Sequence, residues 1–253
     1  MRASKLEQWD RPGKYVQVLK PVPGYGECLI EMKAAGLCLG EEAVVHHLKH
    51  CGICNFCTSG AEQHCEAYKR GDVVLTRGAG LDGGLAEYLV VPRHELVSIG
   101  DQDPGLYAPL TDAGVAVYHA VQSLAQLDYG KHWHWRADKV VLSDAPTGPK
   151  LLDMTNGNGI DYIVDFVGSG QTLALAAKFS RPQGRILGWN HMATSCEFAL
   201  SIGSTRQDLE DVCRLAAAGK LRINMQNFSF DQIQEAHDSL RAGRLSGRAV
   251  IVF

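Results

Sequence analysis

The stretch CGICNFCTSGAEQHC, residues 51–65, places four cysteines at Cys51-x2-Cys54-x2-Cys57-x7-Cys65. Thiolates at this spacing can surround one closed-shell ion tetrahedrally, which predicts a structural zinc site. Two other uses of the thiols compete with it. A ferredoxin run begins the same way but has its fourth cysteine after three residues and before a proline. Here the gap is seven and Glu66 follows. Disulfide pairing would suit a secreted chain, whereas the start MRASKLEQWDRPG has no apolar leader, and Cys28, Cys38, Cys196 and Cys213 stand singly, as in reduced proteins.

Outward from the cassette, the chain reads as a globular α/β protein. Its 253 residues are 45% hydrophobic and 21% charged, enough for one large core or two small ones. A net charge of −3 supplies no basic field, which argues against nucleic acid or an acidic membrane as partner. No apolar run approaches spanning length, and the cytoplasm is the expected compartment.

The N-terminal third predicts an antiparallel β region. After the PVPGYG turn, Cys28, Ile30 and Met32 alternate with Leu29, Glu31 and Lys33, and further strands are predicted at Asp72–Leu75 and Leu85–Val91, closed by Pro92. From Leu110 the period becomes helical, with Tyr118, Val121 and Leu124 as the expected buried stripe. Beyond it the pattern is βαβ: strands at Lys139–Ser143, Asp161–Val167 and Arg185–Gly188, with helices at Lys150–Asn156 and Gln171–Phe179. A helix over Thr205–Ala218 should bury Leu209, Val212 and Leu215 and stop at Gly219. Another over Asp231–Ala242 should bury Ile233, His237 and Leu240, before a closing strand at Ala249–Phe253.

One glycine match is set aside. Gly78-Ala-Gly80-Leu-Asp-Gly83 fits G-x-G-x-x-G, but it leads into the strand-like LAEYLVVP instead of the helix whose N-terminal amides would meet a pyrophosphate. A glycine-rich turn between strands is the reading kept.

The cysteine cassette with Gly52, Gly60 and Glu62, together with AAGLC at 34–38, GLDGGLAEYLVVP at 80–92, YAPLTDAGVAVYHAV at 107–121 and IDYIVDFVGSGQT at 160–172, resembles the medium-chain, zinc-dependent alcohol dehydrogenases. The resemblance implies a GroES-like, β-rich catalytic domain with a zinc lobe over 1–127. It further implies a shortened Rossmann-type doubly wound parallel sheet over 128–222, and a C-terminal segment, 223–253, returning to the catalytic domain. It also implies hydride transfer between a small alcohol or carbonyl substrate and NAD(P), with homo-oligomerisation left open.

By the same resemblance Cys38 is the first ligand of a catalytic zinc and Asp112 the second, Asp112 having the alternative of a helix first-turn carboxylate. LGEEA puts Glu41 where the family has histidine, so Glu41 is a candidate third ligand, with a solvated acidic turn as its alternative. His46, His47 and His50 are nearby substitutes. Leu39 and Gly40 cannot relay a proton. Val167 and Gly168 would border the adenosine, Gly188 and Trp189 the nicotinamide, and Arg248 would complete the cofactor side; ordinary sheet packing is the other explanation for all of them. Only residues 128–138 separate the Leu110 helix from the next strand, too few for the first βαβ unit and its fingerprint, and their His132-Trp133-His134-Trp135 run reads as a connecting loop. The losses leave a second reading open, a non-catalytic zinc-stabilised relative without dinucleotide binding.

Overall fold

The structure is a computed structural model that describes residues 1–5, 13–36, 43–68, 76–78, 80–127, 139, 147–188, 197–201 and 203–253; for 36, 124–127, 147 and 197–200 the backbone alone is described. The strands predicted at Asp72–Leu75 and Lys139–Ser143 lie outside the described residues, apart from Lys139, which has no regular structure.

In chain order the elements begin with β1 (Arg2–Lys5), β2 (Lys14–Gln17), β3 (Glu27–Glu31), β4 (Ala34–Gly36), β5 (Ala43–Val45) and the short helix α1 (Asn55–Thr58). There follow β6 (Thr76–Arg77), β7 (Gly80–Leu81), β8 (Tyr88–Pro92), β9 (Leu96–Ser98), α2 (Pro104–Tyr107) and α3 (Ala113–Leu127). Next come α4 (Thr147–Met154), β10 (Ile160–Val164), α5 (Gly170–Phe179), β11 (Ser180–Gly188) and β12 (Glu197–Leu200). The chain closes with α6 (Arg206–Ala217), β13 (Met225–Ser229), α7 (Ile233–Arg241) and β14 (Arg248–Val252). No described helix is long and apolar enough to cross a membrane.

These elements form two compact units, one of residues 1–116 and 204–253 and the other of residues 117–203. In the first, β3 pairs antiparallel with β8, Ile30 opposite Leu89 and Cys28 opposite Val91, in the antiparallel region predicted, although β8 begins at Tyr88, three residues after the predicted Leu85, and includes Pro92. Ile30, Met32, Val45, Leu89 and Val91 pack together as one buried cluster. Burial of each large aliphatic chain of this kind contributes about 1.5–3 kcal/mol. Strand β14 lies between β13, parallel to it, and β4, antiparallel, so that the chain's last residues seal a second cluster of Ala35, Phe228, Phe230, Ile233, Ala236, Ala249 and Ile251. Between β14 and its neighbours Gly247 has a φ of +100°, and a Cβ there would lie 2.1 Å from the Asn224 carbonyl oxygen, so only glycine fits.

No helix follows the glycine run at 78–83. Gly80–Leu81 is a two-residue strand, and β8 comes next. Helix α6 begins with a capping box between Thr205 and Asp208 and ends at Gly219, whose φ is +66°. It buries Leu209 and Val212 as predicted, but Cys213, one residue on from Val212, is the third buried apolar chain, and Leu215 is only half-buried. In α7 the buried pair is Ile233 and Ala236, and Leu240 is 53% exposed. The predicted face runs one turn too far: the burial ends at Ala236, with His237 half-buried and Leu240 exposed.

The second unit contains a βαβ arrangement, with β10 and β12 flanking β11 in a parallel sheet. Ala120 and Leu187 form its buried centre, with Tyr162 and Val164 against them. The added methyl of any residue larger than glycine at 148 would sit 2.1 Å from the Phe179 ring, so Gly148 is what admits α4 beside α5. Tyr118 is buried, as the stripe in α3 predicted, while Val121 is half-buried. Strand β10 ends at Val164, three residues short of the predicted Val167, for a reason that belongs to the site.

Candidate functional site

The cysteine lobe is built locally. Gly52 and Gly60 adopt φ of +74° and +76°, turning the chain on either side of α1 so that Cys51, Cys54, Cys57 and Cys65 converge, with their sulfurs all within 4.8 Å of one another. Cys51 Sγ and Cys57 Sγ are 3.9 Å apart, too far for a disulfide. Tetrahedral Zn–S bonds of about 2.3 Å imply sulfur separations of about 3.8 Å. The backbone amides of Cys51 and Ala67 donate to Cys65 Sγ at 3.3 and 3.4 Å, and that of Cys54 to Cys51 Sγ at 3.4 Å. Amide donors of this kind favour thiolates. Those of Glu66 and Cys57 bring Cys54 down to about 6, and those of Ile53 and Cys54 lower Cys51, while burial pushes Cys57 up. The donor set and its spacing fit a four-thiolate zinc. Buried Glu62 ties the lobe to the body by accepting from the Arg206 amide at 3.3 Å.

Asp112 follows a 3-10 turn at Ala108–Thr111 and opens α3, its carbonyl accepting from the Ala116 amide at 3.0 Å. Its Oδ2 accepts from Arg248 Nη2 at 2.8 Å, in a pair whose side chains are 43% and 45% exposed. Arg248, assigned to the cofactor side from sequence, is thus a partner of a candidate metal ligand. His47, half-buried as a residue but with its Nδ1 shielded from solvent, feels the Asp112 charge. Burial lowers its imidazole, against the opposing pull of Asp112 and of the Thr111 backbone, and its Nδ1 has no partner among the described residues. Cys38, Glu41 and Trp189 lie outside the described residues. His46 faces elsewhere: its Nδ1 is 3.3 Å from the Leu48 carbonyl and its Nε2 3.1 Å from that of Ser204.

At the carboxyl end of the parallel sheet the Asp165 carboxylate organises a turn. It accepts from the amides of Val167 at 2.9 Å and Gly168 at 3.1 Å, and from the Thr172 hydroxyl at 2.8 Å. Burial alone would raise this carboxyl, but the Gly168, Thr172 and Val167 donors outweigh it and hold it below the usual carboxylate range. This turn is why β10 stops at Val164. The Asp165 amide donates to the Leu187 carbonyl at 2.7 Å, which sets the turn beside Gly188. Val167 and Phe166 are 74% and 49% exposed. Exposed apolar groups and glycines at the carboxyl ends of neighbouring parallel strands fit a bound nucleotide's planar rings.

Two features escaped the sequence reading. Arg77 and Glu95 form a buried ion pair, with Nη2 and Nε at 2.5 and 3.2 Å from Oε2. His50, His94 and Glu95 form a second cluster of metal-ligating side chains. Neither has a local spacing signal, since each joins residues distant in sequence: β5 pairs with β9, and the Arg77 amide of β6 donates to the His47 carbonyl at 2.9 Å.

The fold, a β-rich unit with a cysteine lobe and a second unit with a parallel sheet, defines a GroES-like catalytic domain joined to a Rossmann-type domain. Residues 30–101 match the alcohol dehydrogenase GroES-like domain family, and residues 135–251 the zinc-binding dehydrogenase family. An alcohol dehydrogenase of Geobacillus stearothermophilus is 23% identical over 340 aligned positions covering 99% of each chain, an alignment longer than this chain and so gapped against it. A NAD-dependent alcohol dehydrogenase of Sulfolobus acidocaldarius is 25% identical over 79% of this chain and 71% of its own. Among solved structures, the alcohol dehydrogenase of Aeropyrum pernix superposes with a TM-score of 0.86 at 20% identity over the whole of both chains. The chain belongs to the medium-chain, zinc-dependent alcohol dehydrogenase family, a family of oxidoreductases.

Proposed function

We propose that this protein interconverts a small alcohol and its carbonyl compound with NAD(P), using a catalytic metal held by Cys38, Asp112 and a third donor, Glu41 or His47. The observation that carries this reading is the shielded, unpartnered Nδ1 of half-buried His47, whose ring feels the Asp112 charge. A buried orphan nitrogen beside a carboxylate is what a missing cation leaves behind. A bound zinc would polarise the substrate oxygen and lower its pKa. Arg248 occupies Oδ2 of Asp112, which leaves Oδ1 as the ligand atom and fixes the carboxylate's orientation. The Asp165 turn, with Val167, Gly168 and Gly188, would seat the cofactor's rings.

The test is NADH formation by the zinc-loaded chain with a panel of primary and secondary alcohols. Wild type should turn over, and Asp112→Asn should lower kcat by more than the about 10–100-fold typical of lost outer-sphere support. His47→Gln lowering kcat alike, with Glu41→Gln neutral, identifies His47 as the third donor, and the converse identifies Glu41. Absence of turnover with any alcohol, with metal in the cysteine lobe alone, overturns the proposal in favour of a non-catalytic relative.

A further inference from the structure

We propose that His50, His94 and Glu95 form a further metal site, separate from the cysteine lobe and from Asp112, that takes a divalent first-row transition ion of the zinc or cobalt type. One potential ligand atom from each residue lies within 4.8 Å of the others. The hydrogen bonds indicate which atoms are free to bind an ion. His50 Nδ1 is 3.0 Å from the Leu48 carbonyl, and since a carbonyl only accepts, the ring proton sits on Nδ1 and the lone pair on Nε2. His94 Nε2 is 2.9 Å from the His50 carbonyl, which leaves the lone pair on Nδ1. Backbone carbonyls that fix the far nitrogen of each imidazole are the usual supports of metal-bound histidines.

Glu95 supplies the independent observation. Its residue is 0% exposed, Arg77 occupies Oε2, and Oε1 is buried with no hydrogen-bond partner. Leaving such an oxygen unmatched costs about 1–3 kcal/mol, more when it is charged. A cation at Oε1 removes that cost, while Arg77 fixes the carboxylate and limits affinity through its own charge. Two imidazoles and one carboxylate suit zinc or cobalt and disfavour magnesium and calcium, which prefer all-oxygen shells. Gly52 adds rigidity: at φ +74° its backbone meets the His94 ring so closely that a Cβ would be 3.1 Å from Cγ and Cδ2.

The experiment titrates the metal-free full-length chain with cobalt(II) chloride and follows absorption. Thiolate-to-cobalt charge transfer reports the cysteine lobe, and weaker visible bands without thiolate character report nitrogen and oxygen ligands. His94→Ala should lose one equivalent of cobalt and part of the visible bands while keeping the thiolate signal, and Asp112→Asn should leave that equivalent in place. An unchanged stoichiometry in His94→Ala overturns the proposal. Crystals of the cobalt-loaded wild type decide it independently of any variant's folding: anomalous density between His50 Nε2, His94 Nδ1 and Glu95 Oε1 supports the site, and a water or empty space there overturns it.

Discussion

At the scale of single residues, burial governs what each polar group contributes. Arg77 and Glu95 have side chains 8% and 0% exposed, so their charges meet where water cannot screen them. In the metal-free chain, Arg77→Met should destabilise by about 3–5 kcal/mol, because it strands the Glu95 charge, and Arg77→Met with Glu95→Leu should recover most of the loss. Urea midpoints of the three proteins check this; equal loss in the single and double variants would show that packing of the arginine stem dominates. His46 makes the pH argument. Burial first, then the neighbouring His47 and His50, push its imidazole down to about 3, so it is neutral in the fold. The unfolded chain, with an ordinary value near 6.5, binds the extra proton throughout the interval between, so the stability His46 contributes is whole above about pH 6.5 and falls by about 1.4 kcal/mol per unit on acidification towards pH 3. Between about pH 6 and pH 4, His46→Gln should show a shallower decline of its urea midpoint than wild type. Parallel slopes would remove His46 from the acid response.

At the scale of elements, the helix that leaves the Asp165 turn is secured by its own first residues. Ser169 accepts from the Thr172 amide at 3.1 Å, and the Thr172 hydroxyl reaches Asp165, so the cap of α5 and the Asp165 turn share one network. Ser169→Ala should cost about 1 kcal/mol and Ser169→Gly a few tenths, read as shifts of the denaturant midpoint. A loss near zero for the alanine variant would mean that Thr172 and Asp165 hold the turn unaided. Elements also explain what could be read in advance. The four cysteines lie within fifteen residues, and the ligands of a local knuckle announce themselves by spacing, as do the alternation of β3 and the capped period of α6. The His50–His94–Glu95 cluster had no such signal, because residues 44 apart are brought together by tertiary contacts, Val45 pairing with Leu96 across β5 and β9 and His94 Nε2 meeting the His50 carbonyl. The early end of β10 was hidden for another reason: an aspartate that bonds amides two and three residues ahead outweighs the apolar run Phe166-Val167 that looked like more strand. Leu240 misled because periodicity tells which face of a helix is apolar and not how far along it burial extends.

At the scale of the whole molecule, two separately cored units mean that a ligand of one can be read through the stability of that unit. Residues 128–138 carry no glycine fingerprint, so under the proposed function the affinity for NAD would rest on the Asp165 turn and Gly188. A dissociation constant of about 1 mM would correspond at about 10 mM NAD to a stabilisation of about 1.4 kcal/mol. For a chain of this size that is a rise in thermal midpoint of about 3–6 °C. Val167→Asp places a like charge where the dinucleotide would lie, at a side chain 74% exposed and so without a packing role, and should abolish the rise while leaving the ligand-free midpoint in place. A rise that survives Val167→Asp would move the nucleotide away from this turn, and no rise at all in wild type would show that this chain does not hold the cofactor.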